Sequence, residues 1–167
     1  MSKRERGLAC ACVLGLALAV GFVAGQIWTR SQATPLLGQT ATVRHPANGL
    51  AWLARVDTGA TLSSIHCPID RIDGLVEPPI ANVGREVTLW LAGDDGTTLP
   101  VTTSIVERSL VRTESAVEHR YKVRLEISCG GATAFTLVTL NDRSHMRHKF
   151  LLGRDFLEGR FAVDVSQ

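Results

Sequence analysis

Asp57, Thr58 and Gly59 place one carboxylate among small residues, directly after the apolar run Leu50–Val56. Small residues allow backbone amides to approach a carboxylate, and such hydrogen bonds hold it in place and favour its ionised form. A carboxylate held in this way can act as a general base toward a water molecule. The same triplet also forms ordinary turns, in which the aspartate accepts hydrogen bonds from its own backbone. The motif alone therefore leaves both interpretations open.

A second candidate element begins about 95 residues later, at Phe150. The apolar run Phe150–Gly153 leads into a predicted short helix over Gly153–Gly159, with a glycine at each end, and then into a strand over Ala162–Val165. Acid–base chemistry on a peptide usually requires two carboxyl groups, so a catalytic Asp57 would also need a second carboxyl group as its partner.

The segments around the Asp57 motif and the late element are predicted to be short strands separated by turns. Alternating apolar and polar residues bounded by turn residues are typical of strands, and Asp-Gly favours a tight hairpin. Aromatic residues are sparse (5%) while β-branched residues are frequent. We predict an all-β sandwich or barrel with one short helix and strands over Thr40–Arg44, Leu50–Val56, Ser63–His66, Glu86–Ala92, Thr97–Ile105, Tyr121–Ser128, Ala132–Leu140 and Ala162–Val165.

The two elements, in this order, resemble the retropepsin-type aspartic peptidases. In that family a hydrophobic strand ends in Asp-Thr-Gly-Ala, and a late segment reads hydrophobic-hydrophobic-Gly-Arg-Asp/Asn before a helix. Here the matching segments are Val56–Ala60 and Leu151–Asp155. The resemblance implies a retropepsin-like barrel over residues 38–167, with Asp57, Thr58 and Gly59 as the catalytic motif.

The C-terminal run is similar to a narrower bacterial branch, the ATP-dependent zinc proteases linked to RimK-type ATP-grasp ligases. That branch carries Asp-Arg-Ser-x-Met-Arg, then Leu-Leu-Gly-Arg, then Gly-Arg-Phe-x-Val-Asp; here these are Asp142–Arg147, Leu151–Arg154 and Gly159–Asp164. The sequence contains neither His-Glu-x-x-His nor a glycine-rich phosphate loop. We therefore predict no zinc and no other cofactor, and interpret His66, Cys67, Cys129, His145 and His148 as surface histidines and core thiols.

One Asp-Thr-Gly in a domain of this size implies, through the resemblance, a homodimer in which Asp57 meets its symmetry mate. Viral members of the family often carry further aspartates just after this motif, whereas this chain has Thr61 and Leu62. The RimK link suggests substrates made by amino-acid ligation, such as glutamate-rich peptides. Candidate substrate-binding residues are Ala60, Arg112, Arg120, Arg143 and Arg147. The guanidinium groups of the four arginines could bind carboxylates through two parallel hydrogen bonds.

A peptidase of this type needs a flap that covers the substrate. Two segments are candidates: the hairpin at Gly93–Gly96 and the polar stretch Arg108–Lys122, which precedes the late hairpin as the family's flap does. We favour the second, and a solvated loop without a gating role is the alternative.

The first 30 residues have a separate character. Three basic residues within Met1–Arg6 precede Gly7–Trp28, which is 22 residues without a charge and long enough to cross a bilayer. We predict a single-pass anchor in a bacterial inner membrane over residues 1–30, a linker over 31–37, and the domain on the periplasmic side. A cleaved signal peptide ending near Gly25 is the alternative.

Charge and cysteine content narrow the function classes further. The net charge is +2, but four of 18 basic residues and one of 16 acidic residues lie in the first 30 positions, which leaves 14 against 15 and a net charge of −1. This balance argues against a nucleic-acid partner, which requires a strongly basic face. Cys67 and Cys129 would lie in an oxidising compartment and could pair or remain buried thiols.

Three functions therefore compete. The leading one is a membrane-anchored periplasmic aspartic peptidase that acts on peptides as a homodimer. The second is a non-catalytic exported domain of the same fold that binds peptides or serves as a scaffold. The third is a zinc hydrolase, as the name of the bacterial branch implies.

Overall fold

The computed structural model describes residues 34–112 and 117–167. Pro35–Gln167 form one compact unit. The predicted membrane anchor, residues 1–30, lies outside the described residues, and within them no helix is long and apolar enough to cross a membrane. The eleven strands of the described ranges are β1 (Leu36–Leu37), β2 (Thr40–Arg44), β3 (Ala51–Val56), β4 (Ser63–His66), β5 (Ile72–Asp73), β6 (Glu86–Ala92), β7 (Thr98–Arg112), β8 (Val117–Cys129), β9 (Ala132–Asn141), β10 (Phe150–Leu152) and β11 (Ala162–Val163).

The helical content of the described ranges is small. One α-helix, α1, covers Arg154–Leu157, and two 3-10 turns cover Ile69–Arg71 and Pro79–Asn82. The prediction of a mostly β domain with one short helix is confirmed. Leu36 and Leu37, which we assigned to the linker, instead form β1, because they pair in parallel with Ala162 and Val163 of β11.

Nine strands form one sheet in the order β2-β3-β10-β4-β9-β8-β7-β6-β5. A bridge between Arg44 and Ser128 also pairs β2 with β8, so the first six strands of that order close on themselves. The remaining strands, β7, β6 and β5, extend the sheet beyond the closed part. A closed sheet buries its inner face without leaving open edges, which agrees with the predicted barrel.

The core follows from the alternation in the sequence. On β6, Val87, Leu89 and Leu91 are at most 2% exposed, while the residues between them face outward. Trp52 and Phe150 pack with ring centroids 5.6 Å apart, and the Trp52 indole N–H donates to the Ala92 carbonyl over 2.7 Å. Buried aromatic rings remove much apolar area from water, and here they join β3 to β10 and to the end of β6.

The segment Arg108–Lys122, predicted as a polar loop, is largely paired. Its two halves extend β7 and β8 on either side of residues 113–116, which lie outside the described residues. Lys122 Nζ lies 2.7 Å from Glu107 Oε1, and an Arg108 guanidinium nitrogen lies 2.9 Å from His119 Nδ1. Cross-strand pairs of this kind stabilise a hairpin without an apolar face, so polar composition did not prevent strand formation.

The Gly93–Gly96 hairpin, our other flap candidate, is anchored to β3. The Asp94 amide donates to the Ala51 carbonyl over 3.0 Å, and the Leu53 amide donates to the Asp94 carboxylate. Gly96 has a φ of +83°, a conformation that glycine adopts without steric cost. Because both contacts are made with a core strand, this hairpin is poorly suited to open and close over a substrate.

Candidate active site

Asp57 follows β3 at the point where three strands meet. β10 runs between β3, to which it is parallel, and β4, to which it is antiparallel. The Asp57 amide donates to the Leu152 carbonyl of β10 over 3.0 Å. The two elements singled out in the sequence, 95 residues apart, are therefore hydrogen-bonded neighbours.

The Asp57 carboxylate is held by its own loop. Oδ1 accepts hydrogen bonds from the amides of Gly59 and Ala60 at 3.0 and 3.2 Å. A Cβ on Gly59 would lie 3.2 Å from the same oxygen, which is a tight contact. Among the described residues no hydrogen bond engages Oδ2, so that oxygen is available to a substrate, a water molecule or another carboxyl group.

The loop after Asp57 is braced by the residues at the start of α1. The amides of Arg154 and Asp155 donate to the carbonyls of Ala60 and Thr61 at 2.9 and 3.1 Å. The backbones approach so closely at Gly153 that a Cβ there would lie 2.5 Å from the carbonyl carbon of Leu62. Glycine is needed at this position because of the close backbone contact, since its φ of −93° suits any residue.

Asp155 supplies a second, half-buried carboxylate for this brace. Its Oδ1 accepts from the amide and the hydroxyl of Ser63 at 2.9 and 2.8 Å, and its Oδ2 accepts from the Thr136 hydroxyl. The Ser63 hydroxyl in turn accepts from the Gly153 amide over 3.0 Å. These bonds connect β4, β9 and α1 directly beneath the Asp57 loop. Arg154 donates to the Thr61 hydroxyl over 3.1 Å, which gives it a structural role as well.

Asp57 and Thr58 open onto a cavity of about 580 Å³. Ligand pockets of enzymes commonly have volumes of roughly 300–1,000 Å³. The lining residues come from β2, β3, the loop before β10 and the segment around β11: Gln39, Thr40, Arg55, Val56, Asp57, Thr58, Arg147, His148, Val163 and Val165.

Three arginines lie in or near the cavity that Asp57 lines. Arg55 and Arg147 line the cavity, and Arg143 is half-buried nearby. Burial lowers the pKa of Arg143 from its ordinary value, the Asp57 carboxylate opposes this shift, and the Arg55 guanidinium adds to it. The Arg143 guanidinium is therefore close enough to Asp57 and Arg55 to be affected by both charges.

The Asp142–Lys149 loop carries two of these arginines, Arg143 and Arg147, and its conformation is stabilised by polar contacts within the loop. The Lys149 ammonium donates to the carbonyls of Arg143, Ser144 and Met146 at 2.7–3.1 Å. The Arg143 Nε–H donates to the His148 carbonyl over 3.2 Å, and His148 Nδ1 lies 2.9 Å from the Leu53 carbonyl. An ammonium with three carbonyl partners has all its donors occupied, so Lys149 stabilises the turn.

The predicted site residues divide into two groups. Asp57, Thr58, Gly59, Ala60, Arg143 and Arg147 lie in or beside the Asp57 cavity or its loop. Arg120 instead lines a cavity of about 320 Å³ with Cys67 and Asp142, and pairs with Glu118 over 3.1 Å. Arg112 ends β7, and its side chain lies outside the described part of the chain.

Sequence reasoning missed Arg55, His148 and the polar brace of Ser63, Thr136 and Asp155. Arg55 lies two positions before Asp57, and residues two apart on a strand point to the same side, so this spacing could have revealed it. The brace joins residues up to 92 positions apart and gave no local signal.

The histidines and cysteines considered for a metal are separated or engaged elsewhere. Cys67 and Cys129 are buried free thiols, and burial raises the pKa of Cys67 to about 12. His145 is exposed, while His66 and His148 accept or share hydrogen bonds with backbone groups. Within residues 34–112 and 117–167 no three His, Cys, Asp or Glu residues are grouped so that they could hold a metal ion.

Comparison with known proteins agrees with this geometry at several levels. Residues 91–167 match the RimB-like family model, described as retropepsin-like aspartic endopeptidase RimB. Proteins named probable alpha-L-glutamate ligase, from Shewanella halifaxensis and Parasynechococcus marenigrum, are each 30% identical over 145 and 138 residues. These matches cover 79% and 77% of this chain but 29% and 28% of the relatives, so the chain spans less than a third of their length.

A solved structure shares the fold. A Legionella pneumophila protein of unknown function (DUF785) aligns with a TM-score of 0.64 and 20% identity, covering 81% of this chain and 96% of the other. At this identity the likeness concerns the fold alone. The family match contains Leu151–Asp155 but begins after Asp57, which the structure places beside that segment. Over its C-terminal 77 residues, this chain is therefore similar to the RimB-like family of retropepsin-like aspartic endopeptidases.

Proposed function

We propose that this chain is an aspartic peptidase that hydrolyses peptide bonds as a homodimer. One observation carries the proposal: the Asp57 carboxylate is fixed by two amides, braced from below by the Gly153–Asp155 segment, and open to a cavity of about 580 Å³. An ordinary turn aspartate would need neither the brace nor the cavity. The family match of residues 91–167 supports the same activity.

The chemistry requires two carboxyl groups, and a second copy of Asp57 would supply the partner. In a two-fold symmetric dimer, a residue near the axis contacts its own copy. Two adjacent carboxyl groups share one proton and titrate as a pair. The protonated one would polarise the scissile carbonyl, and the ionised one would take a proton from the attacking water. Thr58 would hold the two loops together, and Gly59 would leave space for the peptide.

A dimeric active site makes the specific activity depend on concentration. We expect hydrolysis per chain to fall on dilution in parallel with the loss of dimer, because a monomer presents one Asp57 only. Sedimentation velocity and a peptide-cleavage assay across the same concentration series would check this. Undiminished cleavage by a species that sediments as a monomer would contradict the two-copy mechanism.

The arginines around the cavity favour an acidic peptide as substrate. Arg55 and Arg147 line the same cavity as Asp57, and Arg143 lies nearby. A guanidinium binds a carboxylate through directed, charge-assisted hydrogen bonds. The relatives named alpha-L-glutamate ligase suggest that the peptide is rich in glutamate. Ala60, at the edge of the Asp57 loop, would contact the substrate backbone. Arg120, proposed from sequence, lines a different cavity and would contribute through the partner copy. The role proposed for Arg112 concerns a side chain outside the described part of the chain.

Replacing Arg147 with glutamine should separate acidic from neutral substrates. We expect kcat/KM for a glutamate-rich peptide to fall by about tenfold or more, since hydrogen bonds to charged groups are worth about 1.5–3 kcal/mol. A neutral peptide should be cleaved almost as before. Arg124→Gln, an exposed arginine that lines a different cavity, is the matched control. An equal decrease in kcat/KM for the acidic and the neutral peptide would show that Arg147 does not distinguish substrates by charge.

A second function is supported by one observation. The relatives are named ligases, and the region matched by this chain is under a third of each. A domain of this fold that binds acidic peptides without cleaving them would fit that arrangement. The arginines would then bind the peptide, and Asp57 would not need to pair with a second copy. Binding of a glutamate-rich peptide by a monomer, without hydrolysis, would favour this second function.

We also propose, from residues 1–30, that the chain is anchored in a bacterial inner membrane with the domain in the periplasm. The uncharged 22-residue run and the basic residues before it support this placement. Recovery of the full chain in an alkaline wash of isolated membranes would contradict it.

A further inference from the structure

The imidazole of His66 connects the end of β4 to the Asp142–Lys149 loop. Its Nδ1 lies 2.9 Å from the backbone nitrogen of Arg143. A backbone N–H can only donate, so Nδ1 is the acceptor and a single ring proton lies on Nε2. This hydrogen bond therefore exists only while His66 is neutral.

The loop that His66 holds is the one that brings Arg143 and Arg147 to the Asp57 cavity. Arg143 is fixed at three points: its amide by His66, its carbonyl by Lys149 and its Nε–H by the His148 carbonyl. Two of the three contacts come from within the loop. His66 supplies the one that ties Arg143 to the barrel.

A competing partner lies next to the same ring nitrogen. Asp142 Oδ1 is 3.6 Å from His66 Nδ1 and accepts a hydrogen bond from the Ser144 amide. A protonated ring would carry a proton on Nδ1 that could be donated to this carboxylate, while the Arg143 amide would lose its acceptor. Protonation thus exchanges a contact that orders the loop for one with the exposed Asp142 side chain.

The other charged groups facing His66 come from two segments, the Asp142–Lys149 loop and the 3-10 turn Ile69–Arg71. Burial is the main cause that lowers the pKa of His66 below its ordinary 6.5; the carboxylates of Asp142 and Asp70 oppose this shift, and the cations of Lys149 and Arg71 add to it. The pKa of His66 is lower in the folded chain than in the unfolded chain. The hydrogen bond from the Arg143 amide to His66 Nδ1 is therefore fully present above about pH 6.5. It is lost as the pH falls through the lowered value.

We infer that His66 is a positioning residue, whose neutral ring sets the place of Arg143 and, through the loop, of the arginines beside Asp57. The inference rests on the proposed function for its effect on hydrolysis. The link between His66 and the loop stands independently of catalysis. Activity toward acidic peptides should therefore fall on the acid side as the loop is released, in addition to any titration of the Asp57 pair.

The test compares three variants of the full chain. His66→Asn places an amide oxygen where Nδ1 lies and does not titrate, so it should keep the Arg143 hydrogen bond at low pH. His66→Ala removes the acceptor at every pH. His145→Asn, an exposed histidine of the same loop, is the control.

The first readout is the hydrogen-exchange protection of the Arg143 amide, expressed relative to intrinsic exchange, from pH 8 down through the protonation of His66, which is followed by the NMR shifts of its ring. We expect about a tenfold loss of protection in the unaltered chain and in the control as His66 titrates, since one hydrogen bond is worth on the order of 1 kcal/mol. His66→Asn should retain protection throughout, and His66→Ala should lack it throughout. Protection that is independent of pH, or equal in His66→Asn and His66→Ala, would overturn the inference.

The second readout is the pH profile of cleavage of a glutamate-rich peptide. The acid limb should move to lower pH in His66→Asn and remain in place in the control. If no form of the chain cleaves the peptide, the proposed function fails, while the exchange data still decide whether His66 orders the loop. If cleavage occurs and the acid limb is the same in His66→Asn, the positioning role fails and the peptidase proposal stands.

Discussion

Asp57→Asn is expected to lower peptide hydrolysis by about 10³-fold or more, because general acid–base catalysis by a carboxyl group contributes roughly 10²–10⁴-fold. Asparagine has the same shape but neither accepts nor gives up a proton in the reaction. In a homodimer the substitution removes both carboxyl groups at once, so no residual pair remains. The rate should be followed with the peptide that the unaltered chain cleaves best.

The fold should survive this substitution. The asparagine side-chain oxygen can still accept the Gly59 and Ala60 amides that Asp57 Oδ1 accepts at 3.0 and 3.2 Å. Circular dichroism and sedimentation should therefore match those of the unaltered chain. Asp95→Asn, an exposed aspartate at the tip of the β6–β7 hairpin, is the matched control and should leave the rate unchanged. Full hydrolysis by Asp57→Asn would refute the proposed mechanism.

Asp155→Ala is expected to lower the free energy of unfolding by about 3–5 kcal/mol, because each buried donor left without an acceptor costs about 1–3 kcal/mol. Three donors would lose their acceptor: the Ser63 amide, the Ser63 hydroxyl and the Thr136 hydroxyl. Ser63 is fully buried and Thr136 is 5% exposed, so water cannot easily replace the lost oxygens. Urea unfolding followed by tryptophan fluorescence measures the change.

Asp155→Asn separates the hydrogen bonds from the charge. Its oxygen can accept from Ser63, and the Thr136 hydroxyl can turn to accept from its amide group, because hydroxyls serve as donors or acceptors. The expected loss is about 1–2 kcal/mol, as for one weakened hydrogen bond. A loss below about 1 kcal/mol in Asp155→Ala, measured alongside, would mean that the brace is replaced by other contacts.

The parts of the site that were predictable are those with a local pattern. Asp57 follows an alternating strand, and Leu151–Asp155 combines an apolar run with a glycine and a short helix. Most strand ends were close to those observed because alternation indicates which residues are buried; the exceptions are the end of β7 at Arg112 and the start of β8 at Val117. The family resemblance then placed the two segments together, which neither segment indicates by itself.

The parts that were not predictable depend on register and long-range pairing. The insertion of β10 between β3 and β4 brings Leu152 against Asp57, and no local pattern encodes a parallel pairing across 95 residues. The same holds for Arg120: its place on β8 was near a predicted strand, but the direction of its side chain depends on how β7 and β8 pair beyond the barrel. The paired character of Arg108–Lys122 was missed because polar hairpins lack the apolar alternation that marks a buried strand.

The pairing of β1 with β11 has a consequence for the order of assembly. Leu36 pairs with Ala162, so β1 cannot pair until β11, which is synthesised 126 residues later, has been made. Contacts between residues far apart in sequence form slowly because a long loop must close first. Gln39 and Thr40, just after β1, and Val163 and Val165, at β11, all line the Asp57 cavity. An incompletely synthesised chain would therefore lack part of the wall of this cavity until translation has passed β11.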